Sequence, residues 1–479
     1  MVLDRFRWAF CQLDTLRRSL PSSILKALNE LPTTLDETYE RALEEIPKEK
    51  RQHAHRLFQC LVVAIRPLHV KELAELFAIH FDADAGPSNF KEGWRPENAK
   101  DALLSACSSL ITVIKTEDSE IEIVQFSHVS VKEFLTSDRL RTSEVGNIRH
   151  YYIPLDAAHT ILARASLTVL LQLEEDVDRS RLETFPLAIY AAQHWVDHAR
   201  YKDVAPRIQN GIEQLFNPNK SYLPAWTWIH DLDTVDQVRE TTHALEERPK
   251  PPAATALYYA VLCGFGWLAG SLITAHGENV NASGGNHGTP LHAASYKGHL
   301  DTVHLLLAYG ANVNTTNKKR RTPLCSAYDG GHPDVVRMLL EHGADADAQY
   351  DEAGPLSHDA SFNGRTDVVR LLLQHNANVN SRNGSNDTPL HQASIGGQAR
   401  VAQLLLENGA DVNAQNGSHR TPLSRASEKG HLEVVQVLLR HGADVHIRTD
   451  RGRTPLQVAK LNGHGGVAQL LLDHGAGGE

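Results

Sequence analysis

The sequence lacks the features of several large classes of protein. No segment approaches the roughly 18 uninterrupted apolar residues of a membrane-spanning helix. The first residues contain neither an apolar h-region nor a small-residue cleavage site, so they do not resemble a signal peptide. The five cysteines are scattered and odd in number, which indicates neither a disulfide framework nor a Cys-x-x-Cys metal site. These absences favour the cytosol as the location, with nuclear entry as an alternative.

Sequence motifs of catalysis are missing as well. The chain has no Gly-x-Ser-x-Gly elbow, no His-Glu-x-x-His zinc helix and no EF-hand loop. We therefore expect no enzyme activity, no catalytic residue, no metal and no cofactor. The net charge of −10, with neither half of the chain basic, disfavours a general nucleic-acid footprint. We expect a protein partner and no membrane contact.

The second half of the sequence does have a strong internal pattern, a repeat of 33 residues. A glycine or an asparagine recurs at that interval, at Gly277, Gly310, Gly343, Asn376, Gly409, Gly442 and Gly475. A period of this length indicates short structural units that stack on one another, because one unit cannot bury its apolar face alone. Proteins built in this way usually bind other molecules.

Each repeat is predicted to be a turn followed by two helices. A threonine and a proline, as in Thr289-Pro290, are typical of a helix N-cap and first turn. Nine residues later comes a glycine that can end the first helix in the left-handed conformation: Gly298, Gly331, Gly397, Gly430 and Gly463. A second apolar helix follows and ends at the glycine or asparagine of the 33-residue series.

Many of the 27 histidines occupy fixed positions in these repeats. They are His292 and His391; His299, His332, His431 and His464; and His342, His375, His441 and His474. A structural role within the repeat accounts for such a distribution, so the histidine content does not predict a metal site.

The repeat motifs closely resemble those of ankyrin repeats. Thr-Pro-Leu-His occurs at residues 289–292 and 388–391, Gly-His at 298–299, and Gly-Ala-Asp-Val-Asn at 409–413. The resemblance covers residues 253–479 as about seven repeats, the first of them degenerate, and it implies a solenoid that binds protein. In repeat 4, Pro355, Leu356 and Ser357 replace the Thr-Pro-Leu start. Loss of the threonine cap should cost about 1 kcal/mol, so we predict that this junction is the softest point of the array.

The first half of the chain is predicted to be helical, with one small hairpin. Apolar periodicity predicts helices over residues 1–45, 56–65, 69–81 and 99–109. Residues 110–114 and 121–126 are rich in β-branched side chains and flank a polar turn at 116–119, which is typical of a hairpin. Three helices followed by a hairpin predict a winged-helix-like module at residues 51–140.

A second resemblance extends over most of the chain. The runs at residues 6–14, 31–39, 66–68 and 126–130, and those at 185–195 and 198–200, resemble the region downstream of the NTPase in fungal NACHT-ankyrin proteins, which are NLR-like proteins of the STAND type. The resemblance implies a helical remnant that follows an NTPase core at 1–50, the winged-helix-like module at 51–140, a helical linker region at 150–246 and ankyrin repeats at 253–479. The predicted fold class is therefore mainly α.

The phosphate-binding loop of that family, Gly-x-x-x-x-Gly-Lys-Ser/Thr, is missing from this sequence. We therefore expect either a fragment of a larger NACHT ATPase that nucleotide regulates, or a natural form that keeps only the recognition half. A third alternative is a DNA-binding winged-helix regulator, with residues 69–81 as the recognition helix. Glu72 and Glu75 against a single Lys71 in that segment disfavour phosphate binding.

Two sets of residues in the repeats are candidates for partner binding. The first set stands seven residues after the start of each repeat: Tyr296, Asp329, Phe362, Ile395, Glu428 and Leu461. In ankyrin repeats this position and its neighbour, Lys297 in repeat 2, face the concave groove. Large apolar residues at four of the six positions indicate either an interface or internal packing.

The second set is the basic turn formed by Lys318, Lys319, Arg320 and Arg321. It is predicted to be a solvated turn, a contact for an acidic partner or a nuclear-import signal. The import signal is disfavoured because a structured turn cannot easily extend in a receptor groove. From both sets we expect a non-catalytic interaction or scaffold protein, the recognition arm of an NLR-like signalling architecture.

Overall fold

The computed structural model divides into two compact units between residues 252 and 253. The residues that it describes are 34–81, 89–107, 109–115, 121–144, 148–173, 177–232, 252–351 and 354–477. The predicted helix over 1–45 therefore lies outside the described residues up to position 33, as does the predicted polar turn at 116–119. The fold class is mainly α, as predicted.

Helices form most of the first unit. The α-helices among its described residues are Leu35–Glu44, Arg51–Val63, Val70–Ala74, Ala99–Cys107, Val129–Leu135, Asp138–Arg141, Leu155–Leu170, Arg179–Glu183, Ala188–Ala199, Gln209–Leu215 and Tyr222–Ile229. The long helix Leu155–Leu170 packs against Arg51–Val63 and Ala188–Ala199. Nearby, the buried rings of Trp195 and Trp226 meet edge to face at 5.3 Å. These contacts form the core of the unit.

A small antiparallel sheet completes the winged-helix region. Ile111–Lys115 and Glu122–Phe126 form the predicted hairpin, and Leu68–His69 adds a third strand on the other side of Glu122–Phe126. The predicted third helix is confirmed as Ala99–Cys107. The hairpin and the helices before it thus have the arrangement that their change of periodicity indicates.

The helix predicted over residues 69–81 is shorter in the structure. The helix covers only Val70–Ala74 and continues as a 3-10 turn at Glu75–Ala78. Both ends of the segment are strands, because Leu68–His69 pairs with the hairpin and Ile79–His80 pairs with Asn89–Phe90. The apolar spacing of this segment fits a helix, but these pairings with residues distant in sequence override it.

The described residues of the second unit form seven pairs of helices. The first helices are Ala256–Leu262, Pro290–Lys297, Pro323–Gly330, Leu356–Phe362, Pro389–Gly396, Pro422–Lys429 and Pro455–Leu461. The second helices are Gly266–His276, Leu300–Ala308, Pro333–Glu341, Thr366–Gln374, Ala399–Glu407, Leu432–Arg440 and Gly465–Asp473. First helices form one row and second helices form another. Neighbours within each row pack against one another, except for the first helices of repeats 3 and 4.

The predicted helix ends are confirmed. Thr421 Oγ accepts a hydrogen bond from the Ser424 amide at 3.2 Å, as an N-cap should. Gly298 adopts φ of 72° at the end of its helix, and Asn376 adopts φ of 65° in the 33-residue series. The local motifs of the sequence therefore do set the limits of the helices.

Two glycines let first helices approach one another closely. A Cβ atom at Gly330 would lie 2.1 Å from the carbonyl oxygen of Tyr296, and one at Gly396 would lie 2.2 Å from that of Phe362. The same position in repeat 4 is Asn363, and the first helices of repeats 3 and 4 share far fewer contacts than those of repeats 2 and 3 or 4 and 5. Close packing of first helices is thus interrupted in the middle of the array.

Repeat 4 begins without a side-chain cap, as the sequence predicts. Pro355 occupies the N-cap position of the helix Leu356–Phe362 and accepts no hydrogen bond through its side chain. A short hairpin, Gln349–Asp351 with Gly354–Pro355, precedes the helix, and the Leu356 amide donates to the Ala348 carbonyl at 3.0 Å. This backbone pairing links repeat 4 to the end of repeat 3.

We predict faster hydrogen exchange in repeat 4 than in repeat 5. The amides of Leu356–Phe362 should exchange roughly fivefold faster than those of Pro389–Gly396, because a missing threonine cap is worth about 1 kcal/mol. Exchange of the whole chain, followed by mass spectrometry, measures this difference. Equal protection of the two helices would show that the hairpin replaces the cap in full.

Candidate partner-binding groove

In each of repeats 2–7, the residue seven positions after the repeat start lies at the end of the first helix. We call these six residues the stripe. The stripe comprises Tyr296, Asp329, Phe362, Ile395, Glu428 and Leu461. Leu461 is 63% exposed and Phe362 is 43% exposed, whereas Tyr296 and Ile395 are half-buried. Exposed apolar side chains at a repeated position are typical of an interface.

The two acidic residues of the stripe are neutralised within their own repeats. Asp329 pairs with Arg321 and accepts a hydrogen bond from the Tyr350 hydroxyl at 2.6 Å. Glu428 pairs with Arg420 at 2.7 Å. In both repeats the arginine stands just before the start threonine, so the turn reaches back over the end of the first helix. Turns and stripe therefore lie on one side of the repeats.

The basic turn divides into two parts. The Arg321 guanidinium pairs with Asp329 and lies over the Tyr350 ring, 4.4 Å from its centroid. Lys318, Lys319 and Arg320 are exposed, and none of the three forms an ion pair with any residue that the structure describes. Three cations of the cluster are thus open to a partner, while Arg321 is a structural residue of repeat 3.

Tyr296 and Lys297 form a small cluster in repeat 2. The ring of Tyr296 lies 4.4 Å from that of His287, which belongs to the preceding turn. The Lys297 ammonium lies 5.7 Å from the centroid of the Tyr296 ring, within the range of a cation–π contact. Part of the Tyr296 surface is therefore used in packing, which was the alternative interpretation of the stripe.

A polar network between repeats 3 and 4 is absent from the sequence-based predictions. The Tyr328 hydroxyl donates to Asp359 Oδ2 at 2.6 Å, and Asn363 donates to the same oxygen at 2.9 Å. The Tyr328 ring also meets the Tyr350 ring edge to face at 5.5 Å. Burial, together with the hydrogen bond to Asp359, raises the pKa of Tyr328. These side chains bridge the two first helices that share few other contacts.

Several histidines of the repeats make structural hydrogen bonds to backbone carbonyls. His292, His358 and His391 each place Nε2 at 2.9 to 3.0 Å from a carbonyl oxygen of the following turn. His431 and His464 instead contact the carbonyls of the preceding stripe residues, at 3.0 and 3.1 Å. Within the described ranges, no group of three or more His, Cys, Asp or Glu residues is arranged to hold a metal ion.

The acidic residues of the candidate recognition helix are used inside the first unit. Glu72 pairs with Arg66 at 2.6 Å. Glu75 pairs with Arg95 at 2.5 Å and accepts a hydrogen bond from the Leu187 amide at 2.8 Å. Both carboxylates are buried, so the segment packs against the rest of its unit. This arrangement does not favour the DNA-binding alternative.

Comparison with protein families matches part of the first half of the chain and most of the second half. Family models for ankyrin repeats match residues 257–350, 351–416, 405–459 and 451–477. The model described as the winged helix domain of GPI inositol-deacylase matches residues 40–145. The C-terminal half of the chain therefore consists of ankyrin repeats, and a winged-helix domain precedes them. The predicted ankyrin and winged-helix assignments are confirmed.

A curated relative and two solved structures are similar to parts of the chain. The azaphilone pigments biosynthesis cluster protein L of Monascus ruber is 32% identical over 292 residues, 58% of this chain and 60% of that protein. The match thus spans less than two thirds of the relative. The ankyrin repeat domain of human ASB11 is 30% identical, covering 47% of this chain and 99% of that one, with a TM-score of 0.41. The ankyrin repeat domain of Bcl-3 is 29% identical, covering 46% of this chain and 100% of that one, with a TM-score of 0.43.

No helix among the described residues combines the length and the apolar character needed to cross a bilayer.

Proposed function

We propose that this protein is a non-catalytic interaction or scaffold protein whose ankyrin repeats recognise another protein. The exposure of Phe362 and Leu461 on the stripe carries this proposal. Both side chains leave apolar surface in water at a position that repeats 2–7 share, next to the turns. An apolar side chain gains about 25 cal/mol for each Å² that a partner covers, so these two residues are natural anchors.

The proposed biological setting is an NLR-like signalling architecture, in which the repeats act as the recognition arm. The residue runs that resemble fungal NACHT-ankyrin proteins and a winged-helix domain placed before ankyrin repeats support this setting. In the alternative, the chain acts as part of a larger NACHT ATPase that nucleotide regulates. The division into 1–50, 51–140, 150–246 and 253–479 and a cytoplasmic or nuclear location remain parts of the proposal.

We expect the double variant Phe362→Ala/Leu461→Ala to lose partner binding without unfolding. Removal of two anchors should weaken binding about tenfold or more, because a few buried apolar residues dominate most interfaces. The measurement is a quantitative pull-down with the full chain, with circular dichroism to verify folding. The matched control is Leu432→Ala/Leu472→Ala, which removes two apolar residues of similar exposure, 41% each, from second helices.

The expected result is a set of proteins that bind the wild type and the control variant but do not bind the stripe variant. Equal retention by all three chains would exclude the stripe as the binding site. Unfolding of the stripe variant alone would show that Phe362 and Leu461 belong to the core.

A further inference from the structure

We infer that the partner binds the repeats through an acidic, extended segment, with apolar residues on the stripe and carboxylates on the cations around it. This inference rests on the proposed function and adds the chemistry of the partner. The observations that carry it are the uneven distribution of charge over the repeats and the pairing of the charged groups on the side that holds the stripe.

Basic residues are concentrated in the turns and first helices, which we call the groove segments. These are residues 283–298, 316–331, 349–364, 382–397, 415–430 and 448–463. They contain Lys297, Lys318, Lys319, Arg320, Arg321, Arg382, Arg420, Arg425, Lys429, Arg448, Arg451, Arg453 and Lys460, against Asp329, Asp351, Glu352, Asp359, Asp387, Glu428 and Asp450. The rest of the repeats has the opposite balance, with few basic residues and most of the acidic ones.

The groove segments form one continuous side of the repeats. Successive turns are joined by hydrogen bonds, such as that from Asn317 Nδ2 to the His287 carbonyl at 2.8 Å and that from Arg382 to the Gln415 carbonyl at 2.8 Å. Within repeats 3 and 6, ion pairs join the turn to the stripe. The turns and the stripe therefore lie on the same side of the repeats.

Most of the described carboxylates on this side already have hydrogen-bond or ion-pair partners within the repeats. Asp359 accepts from Tyr328 and Asn363, while Asp387 accepts from Asn416 at 2.7 Å and lies 3.6 Å from Arg425. The groove carboxylates whose side chains the structure describes are Asp329, Asp359, Asp387, Glu428 and Asp450. The stripe acids are paired as well, so only Asp450 of these five lacks such a contact. A basic partner would find few free carboxylates here.

Several cations on the same side have no such partner. Lys318, Lys319, Arg320, Lys429, Arg451, Arg453 and Lys460 are exposed and make no ion pair with any residue in the described part of the chain. They lie in repeats 3, 6 and 7, on the side of the array that carries the apolar stripe residues. An acidic chain with apolar side chains would complement both features, and charge complementarity of this kind raises association rates and excludes wrong partners.

A nucleic acid would also be attracted to exposed cations. However, the stripe offers apolar side chains that a phosphate backbone cannot use. The groove therefore fits a protein segment better than a nucleic acid.

The spacing of the anchors sets the pattern of the segment. Packed helices lie about 8–10 Å apart, and an extended chain rises about 3.3 Å per residue, so one repeat corresponds to roughly three residues of the partner. Phe362 and Ile395 lie in adjacent repeats, and Leu461 lies two repeats beyond. We expect apolar residues of the partner about three and then about six positions apart, with acidic residues between them.

The test is a selection from a displayed library of random peptides of roughly 15 residues, the length that spans five repeats, with the full chain as bait. The expected peptides carry net negative charge and apolar residues. Their affinity should fall about tenfold or more in the variant Lys318→Glu/Lys319→Glu/Arg320→Glu, and this loss should shrink as salt is added. The matched control is Arg337→Glu/Arg370→Glu/Arg400→Glu on the second helices, which should bind within about twofold of the wild type.

Other results separate this inference from the proposed function. One such result is a set of selected peptides that carry no excess of acidic residues and yet fail to bind Phe362→Ala/Leu461→Ala. That result would overturn the charge inference and leave the proposed function intact. A selection that enriches no peptide would count against both. Tighter binding of labelled single-stranded or duplex DNA or RNA, competing with the peptides and abolished by the same charge reversal, would replace the protein segment by a nucleic acid.

Discussion

Substitution of Gly396 by alanine is expected to destabilise the repeats by about 2–3 kcal/mol, the range of a tight overpacking substitution. Alanine is normally the better residue in a helix, by about 0.5–1 kcal/mol. Here the added Cβ would lie 2.2 Å from the carbonyl oxygen of Phe362 and 3.0 Å from its carbonyl carbon. Because backbone atoms cannot move aside as a flexible side chain can, the first helices of repeats 4 and 5 would have to separate.

The measurement is urea unfolding of the wild type and the variant at equal protein concentration. Lys429→Ala is the matched control, since Lys429 occupies the same position in repeat 6 and is exposed. It should change the free energy of unfolding by no more than about 0.5 kcal/mol. Gly330→Ala should behave like Gly396→Ala, because its Cβ would meet the Tyr296 carbonyl at 2.1 Å. Stability equal to the wild type would mean that these helices separate without loss, as those of repeats 3 and 4 are already separated.

The limits of the repeat helices could be predicted because their signals are local. Thr421 caps its helix with its own side chain, and Asn376 adopts the left-handed conformation that its place after a helix requires. Gly396 gave no such signal. Its role depends on the carbonyl of Phe362 in the neighbouring repeat, and a glycine inside a helix looks unfavourable when only propensity is considered.

Errors in the first half have the same origin. Residues 69–81 have helical spacing, but Leu68 pairs with Val124 and Ile79 with Phe90. The first of these pairings joins residues more than fifty positions apart in the sequence. The apolar spacing of a segment carries no information about the strand that it pairs with. The spacing of residues 69–81 therefore could not show where the helix ends.

The sequence predicted where the candidate site lies, but not which of its charged side chains pair with one another. The repeat fixes the place of Phe362 and Leu461 at the end of a first helix. Whether Arg321 faces solvent or Asp329 depends on how the turn bends back over that helix, and the sequence motif is silent on this bend. A tyrosine at position 350, inside a turn that is otherwise polar, was the available sign that the turn of repeat 4 packs against repeat 3.

Acidification is expected to destabilise the repeats through the buried histidines, of which His292 is the clearest. Its side chain is fully buried. Nδ1 accepts a hydrogen bond from the Thr289 amide at 3.2 Å, and Nε2 donates to the Arg321 carbonyl at 2.9 Å. The imidazole is therefore held in its neutral form, and a proton on Nδ1 would break the bond at the start of the helix. Burial lowers the pKa of His292 from 6.5 to about 4, although the hydrogen bond to Arg321 opposes that change.

The direction of the pH dependence follows from the protons that each state binds. Between pH 6.5 and pH 4 the unfolded chain protonates His292 and the folded chain does not, so the free energy of unfolding falls as the pH decreases. The contribution is complete above pH 6.5, and about 3 kcal/mol is lost on the way to pH 4. Burial lowers the pKa values of His358 and His391 as well, which adds to the loss.

Urea unfolding across this pH range, compared between the wild type and His292→Gln, isolates the contribution of His292 from those of other buried histidines. The variant should be less stable at neutral pH, because it loses the fixed hydrogen bonds of the imidazole, and its stability should fall less steeply on acidification. His474→Gln is the matched control, since His474 is an exposed histidine of the last repeat, and it should keep the wild-type slope. An unchanged slope in His292→Gln would mean that His292 accepts its proton in the folded chain, which requires the first turn of repeat 2 to open before the array unfolds.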